Sequence, residues 1–411
     1  MSFEFAERLP KRHPADAEAS RERALGREAI AGCQLPALDR MFEGGFDLRV
    51  GGAASRLDRS FRESHYGLDF SMVVLGDTQF HPLWLRDNCQ CSDCRHESGQ
   101  RLLDTRLLPD DLSVVTVNGY KVSFSDGHTS VFDPAWLRAN AGDAPSSTRR
   151  LWGAEIQDEL PMGWYDEVSA GGEPLRRWLA SVDEFGFAIL TDGPTEPETV
   201  TRTAELFGFV RETNYGRLFD VKTVVNPTNL AYTGLGLGAH TDNPYRDPTP
   251  TLQLLHCLAS SADGGENTLV DSFHVAQDLP PDDFDVLART PIRFRYADAD
   301  TDLEAETPVI SLDARRGVQA VHYNTRSAQP FRLPPDAVGR YYDAYQRFGR
   351  MLEEPGYRIQ FKLDAGDLFI VDNLRVMHGR TGYAASGGER HLQGCYADRD
   401  GLRSTLAVLS R

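Results

Sequence analysis

Residues 238–259 read GAHTDNPYRDPTPTLQLLHCLA. The second part, TLQLLHCLA (251–259), is an apolar run of strand length, and the first carries His240 and Asp242 two positions apart. On a strand, side chains at i and i+2 point to the same face, so both can look into one pocket. The run has counterparts in ENTLVDSF (266–273), RIQFKL (358–363), DLFIVDN (367–373) and RHLQGCYA (390–397). Many short strands with few helices predict a mainly β domain with flanking helices (α+β), a sandwich or barrel of the jelly-roll kind. Two of the flanking helices are legible. EPLRRWLASVDEF (173–185) puts Leu175, Trp178, Leu179 and Val182 on one face, and residues 335–353 repeat Val338, Tyr341, Tyr345, Phe348 and Leu352 at helical spacing. GFAILTDG (186–193) follows the first helix as a buried strand closed by a turn.

Upstream the pattern changes. SMVVLGD (71–77) reads as a strand, and SVVTVNGYKVSFSDGHTSVF (113–132) has two hairpin signals, Asn118-Gly119 and Asp126-Gly127. CQCSDCRHES (89–98) packs Cys89, Cys91 and Cys94 into six positions. Thiolates at this spacing suit Zn²⁺, which takes four protein ligands in a structural site. His96 and His128 are the candidates for the fourth. His128 is preferred, because it would tie the loop to a hairpin and fix a module with little core of its own. The expected organisation is an N-terminal extension over 1–65, a small β-rich zinc-binding module over 66–150, and the main domain over 151–411.

At 411 residues and 40% apolar content the chain can bury a sizeable core. It has no run of about 18 apolar residues, so no membrane span is expected. The opening MSFEFAERLPKRHPADAEAS lacks the apolar segment of a secretory signal. Six cysteines in this length do not make a disulfide framework, so a reducing, cytoplasmic compartment is expected. The net charge of −17 argues against nucleic acid as a partner, which needs a basic face, and favours a cationic substrate.

A metal held facially by His240 and Asp242 needs a third ligand. His378, in NLRVMHGRTGY (373–383), is the candidate, on a segment expected near a sheet edge. Two imidazoles and a carboxylate with open positions suit a non-haem Fe(II) oxygenase. Arg390, twelve residues on, can clamp a dicarboxylate bidentately. No Ser/His/Asp or Cys/His arrangement competes with this reading, and Cys257 and Cys395 are expected to be inert on buried strands.

Five stretches in order, WLRDNCQCSDC (84–94), AHTDNPY (239–245), LQLLHC (252–257), VDNLRVMHGR (371–380) and RHLQGCYADRD (390–400), resemble one family. It is that of γ-butyrobetaine hydroxylase and trimethyllysine dioxygenase, Fe(II)/2-oxoglutarate oxygenases, and the resemblance covers roughly residues 70–411. It implies a double-stranded β-helix behind a small zinc module, usually as a homodimer. It implies hydroxylation of γ-butyrobetaine to L-carnitine with O₂ and 2-oxoglutarate as co-substrates, releasing succinate and CO₂. By the same resemblance His240, Asp242 and His378 would bind iron, and Cys89, Cys91, Cys94 and His128 zinc. Arg390 and Asn229 would hold 2-oxoglutarate, with Leu255 lining its site.

The family's substrates carry a trimethylammonium group, which cannot donate hydrogen bonds and is best held by aromatic faces, for about 2 kcal/mol or more when desolvated. The matching positions are Tyr215, Phe219, Tyr232 and Tyr396. Phe219 departs from the Trp of the mammalian butyrobetaine enzymes and has a weaker quadrupole. Asn324 is expected at the substrate's anionic end, and Arg326 too if it points inward. Trimethyllysine and 2-trimethylaminoethylphosphonate are therefore alternative substrates, and a non-catalytic 2-oxoglutarate or betaine sensor is the alternative of another class.

Overall fold

The computed structural model describes residues 72–142, 148–222, 233–384 and 388–411. The expectations for residues 1–65, for Asn229 and for Tyr232 lie outside the described residues. Two compact units part between Ala141 and Gly142.

In the first unit, Val114–Asn118, Lys121–Phe124 and Thr129–Val131 form an antiparallel sheet. The turn before His128 runs through Gly127 at φ 84°, a backbone that favours glycine, as the Asp-Gly signal anticipated. Helices Pro82–Asp87 and Pro134–Asn140 were not anticipated. Each starts with proline in its first turn, behind a residue whose side chain caps a backbone N–H, His81 and Asp133. Leu85, Val122, Phe124, Phe132 and Leu137 form their common core.

The second unit carries two main sheets, besides two antiparallel strand pairs, Pro291–Ala297 with Asp302–Pro308 and Ile310–Leu312 with Val318–Val321. One runs Met162–Trp164, Phe187–Thr191, Leu368–Asp372, Leu252–Ser260, Arg390–Ala397, Val210–Arg211, with Phe219–Lys222 also paired to Arg390–Ala397. The other runs Leu237–His240, Val376–Arg380, Asn267–Asp271, Arg358–Phe361. All pairs are antiparallel except Met162–Trp164 with Phe187–Thr191.

The period of two sorts the side chains into layers. Ile189, Leu255, Phe369, Val371 and Leu392 of the first sheet meet Leu269, Ile359 and Val376 of the second in an inner core. Their strand neighbours Leu190, Leu252, Leu254, Leu368 and Ile370 face outward against Leu175, Trp178, Leu179 and Val182 of the helix Gly172–Phe185. Behind the second sheet, Val270 and Met377 pack on Tyr341, Ala344, Tyr345 and Phe348 of the helix Pro335–Met351. This is the jelly-roll arrangement with flanking helices that the strand pattern implied. The C-terminal helix Arg399–Leu409 was not foreseen, because its apolar stripe is thin: only Leu402 is buried. Among the described residues no helix is long and apolar enough to cross a membrane.

Candidate active site and metal centre

His240 ends the strand Leu237–His240 and lies directly across from His378. The strand Val376–Arg380 is paired on both sides, so His378 is interior to its sheet, not near an edge as expected. The ring centroids of His240 and His378 are 4.4 Å apart. Asp242 does not reach them by strand alternation. The strand stops at His240, and the chain bends through Asn243 at φ 54°, a conformation Asn tolerates. Thr241 anchors this bend: its N–H donates to the Tyr323 carbonyl at 2.9 Å and its hydroxyl to that of Val321 at 3.2 Å. The chain thus turns His240 and Asp242 inward together.

His240 Nε2 is 3.3 Å from Asp242 Oδ1, and His378 Nε2 is 3.8 Å from Oδ2. One ligand atom from each of the three residues lies within 4.8 Å of the others. His240 Nδ1 faces the Gly238 carbonyl at 2.9 Å; a carbonyl only accepts, so Nδ1 donates there and Nε2 is the ring nitrogen turned toward Asp242. Burial, with His240 beside it, pushes His378 down to about 3, so its imidazole is neutral. Burial would raise the Asp242 carboxyl, but His378 and His240, with the Tyr396 hydroxyl bond, outweigh it and hold the group well below the usual carboxylate range. Two imidazoles and a carboxylate therefore converge, a donor set that fits a divalent metal.

The triad borders a cavity of about 490 Å³. Arg390 lies at its side, donating to the Gly265 carbonyl at 3.1 Å and Asn267 Oδ1 at 3.2 Å. Its Nη1 is buried without a partner among the described residues, a donor left for an anion. Arg380 lines the same cavity and was missed; it lies two residues beyond His378, on the parity that faces inward. Burial and the neighbouring Arg390 push Arg380 down to about 10. Two buried cations side by side call for a negative ligand. Leu255 also lines the cavity.

Tyr215, Phe219 and Tyr396 line the cavity, with centroids 6.2 Å apart for Tyr215–Phe219 and 5.2 Å for Phe219–Tyr396. Gly394 makes the Phe219 approach possible, since a Cβ there would collide with the ring. Two further rings line the cavity and were not anticipated: Tyr245, whose hydroxyl meets that of Tyr215 at 2.9 Å, and Tyr296, whose ring is 5.3 Å from Tyr245. Asn324 lines the cavity, but its amide nitrogen donates to the Thr241 carbonyl at 3.0 Å and its oxygen accepts the Arg326 N–H at 3.1 Å. It supports the metal-side bend as well as facing the cavity. The Arg326 side chain lines the cavity too, with no hydrogen-bond partner among the described residues.

In the first unit, Cys89, Cys91, Cys94 and His128 converge, and His96 is not part of the group. His128 Nε2 is 3.3, 3.6 and 3.7 Å from the three sulfurs. A tetrahedral zinc with ordinary Zn–S and Zn–N bonds has N–S edges of about 3.5 Å, so the spacing fits that ion. Arg86 donates to Cys94 Sγ at 3.3 Å and to Asp126 Oδ2 at 2.7 Å, and Asp126 Oδ1 accepts the His128 N–H at 2.9 Å. Cys257 and Cys395 are buried on strands and belong to neither group.

Residues 146–396 match the family described as taurine catabolism dioxygenase TauD, TfdA family, and residues 75–144 match the gamma-butyrobetaine hydroxylase-like N-terminal family. The chain is 38% identical over 349 residues to the gamma-butyrobetaine dioxygenase of Pseudomonas sp. (strain AK-1), covering 81% of this chain and 91% of that one. It is 30% identical over 360 residues to the Homo sapiens gamma-butyrobetaine dioxygenase, covering 81% and 92%. It is 28% identical over 364 residues to the trimethyllysine dioxygenase of Meyerozyma guilliermondii, covering 81% and 90%.

Proposed function

Because this chain belongs to the gamma-butyrobetaine dioxygenase family, within the TauD, TfdA dioxygenases, we propose that it hydroxylates γ-butyrobetaine to L-carnitine, turning 2-oxoglutarate and O₂ into succinate and CO₂. The observation that carries the reading is one cavity bordered by a two-His, one-carboxylate triad, an unspent arginine donor and several aromatic faces.

In this reading His240, Asp242 and His378 hold ferrous iron, and Arg390 pairs with the distal carboxylate of 2-oxoglutarate beside Leu255. Bound iron supplies O₂ activation coupled to decarboxylation of the co-substrate. The remaining work is orientation by the chain's own residues. The faces of Tyr215, Phe219 and Tyr396 hold the trimethylammonium group, and the substrate's opposite end lies toward Asn324 and Arg326. That docking would fix which C–H faces the His240, Asp242 and His378 group and keep others away. No side chain need act as general acid or base.

A second substrate has a specific observation in its favour. The Arg326 guanidinium in the cavity, with no hydrogen-bond partner among the described residues, suits a doubly charged phosphonate end at least as well as a carboxylate. Succinate release and O₂ uptake with added iron, measured against γ-butyrobetaine, trimethyllysine and 2-trimethylaminoethylphosphonate, rank the three. Stimulation by none of them would remove the substrate assignment, and binding without turnover would favour a sensor.

Arg390→Ala is expected to raise the KM for 2-oxoglutarate about 10- to 100-fold, the scale of a lost charged hydrogen bond. An unchanged 2-oxoglutarate titration would refute that role. For the first unit we propose a structural zinc, since four protein ligands leave no open position. Cys91→Ser should then lower retained zinc and thermal stability, with kcat per folded molecule unchanged; a loss in kcat alone would make the site catalytic. A cytoplasmic setting, which the unpaired thiols of the described cysteines support, and a homodimer complete the proposal.

A further inference from the structure

Asp242 is gripped at two levels. Asn373 holds its backbone, accepting the Asp242 N–H at 2.8 Å and donating to the Asp242 and Pro250 carbonyls, both at 2.9 Å. The carboxylate is met separately. Gln253 Nε2 and the Tyr396 hydroxyl both donate to Oδ2, at 2.5 and 2.8 Å. These two donors lie directly opposite one another on the paired strands Leu252–Ser260 and Arg390–Ala397, and both are buried, at 2% and 3% exposure. A carboxylate oxygen has about two acceptor directions, so Oδ2 is filled. Oδ1 is left beside His240 Nε2. Gln253 has no other side-chain hydrogen bond among the described residues, and its Oε1 is buried and unpaired. A packing position would not be expected to carry that cost, which an apolar side chain avoids.

We propose that Gln253 and Tyr396 are positioning residues that occupy Oδ2 and so present Asp242 as a one-oxygen metal ligand, keeping open a coordination position that a bidentate carboxylate would fill. Tyr396 then has two separable parts: its ring faces the substrate pocket and its hydroxyl serves the metal. The inference rests on reading His240, Asp242 and His378 as a metal site.

The test uses the full chain and Mn(II) as the probe, titrated by the EPR signal of the free ion with 2-oxoglutarate present. Tyr396→Phe keeps the ring and Gln253→Leu keeps most of the volume. Each is expected to weaken Mn(II) binding about 10-fold or more, the scale of a lost outer-shell partner. The visible absorption of the Co(II)-loaded protein should shift in both variants, as the carboxylate swings toward two-oxygen coordination. Folding damage alone would not change that spectrum in the folded fraction. Wild-type Mn(II) affinity and an unshifted Co(II) spectrum in both variants would overturn the inference and leave the metal site standing. Failure of the wild-type chain to bind Mn(II) would overturn the metal reading, and the inference with it.

Discussion

Asp242→Ala is expected to abolish succinate formation while leaving a folded protein with the zinc proposed for the first unit. The loss should exceed the roughly 10–100-fold seen when an outer partner of a metal ligand is removed, because here the ligand itself goes. The two imidazoles that remain, His240 and His378, offer no negative charge to balance a divalent ion. The bend that presents position 242 does not depend on its side chain. It is pinned by Thr241 to the Val321 and Tyr323 carbonyls and by Asn373 to the backbone of residue 242. What the fold loses is an acceptor for Gln253 and Tyr396, and an orphaned buried donor costs about 1–3 kcal/mol. Substrate-stimulated succinate release, read beside a melting curve, checks both halves. Retained turnover would mean that the reacting metal is held elsewhere.

Asp271→Ala should have the largest effect on stability. Asp271 and Arg375 form an ion pair at 2.8 Å with side chains 0% and 1% exposed. Arg375 also donates to the carbonyls of Glu184 and Arg150, and Asp271 accepts the N–H groups of Trp152 and Phe273. The pair therefore ties the segment before the helix Gly172–Phe185, the end of that helix and the start of the helix Ser272–Gln277 to one point. Removing one partner strands a buried cation, which costs about 3–5 kcal/mol. For a unit of this size that lowers Tm by roughly 6–20 °C. Thermal unfolding measures it directly. An unchanged Tm would mean that the two carbonyls alone satisfy the guanidinium. The pair also bears on the active site: Asp271 is the last residue of the strand whose Leu269 lies opposite His378.

Much of this was legible in one dimension. Chain order and residue type suffice where a motif is local or a period repeats. The C-x-C-x2-C thiols, the Asp126-Gly127 turn with His128 after it, the apolar strands and two amphipathic helices were all of this kind. The convergence of His240, Asp242 and His378 was also legible, because a two-His, one-carboxylate set is a chemical pattern whatever the path of the chain. The route by which Asp242 joins it was not. Strand alternation was the wrong device; a bend held by Thr241 and Asn373 does that work, and its partners lie 80 and 131 residues away. Gln253, Arg380, Tyr245 and Tyr296 were invisible for the same cause. A single Gln in an apolar strand, or an Arg two residues past a His, has no meaning until strand pairing sets it beside Asp242 or Arg390.

Residue order, then, dictated which groups this protein owns and which strands and helices carry them. Pairing between distant strands dictated which oxygen of Asp242 is free, which arginine nitrogen of Arg390 is unspent, and which rings meet across the cavity. Hydrogen bonds and packing act over a few ångströms, and contacts between residues far apart in the chain exist only once the sheets have closed.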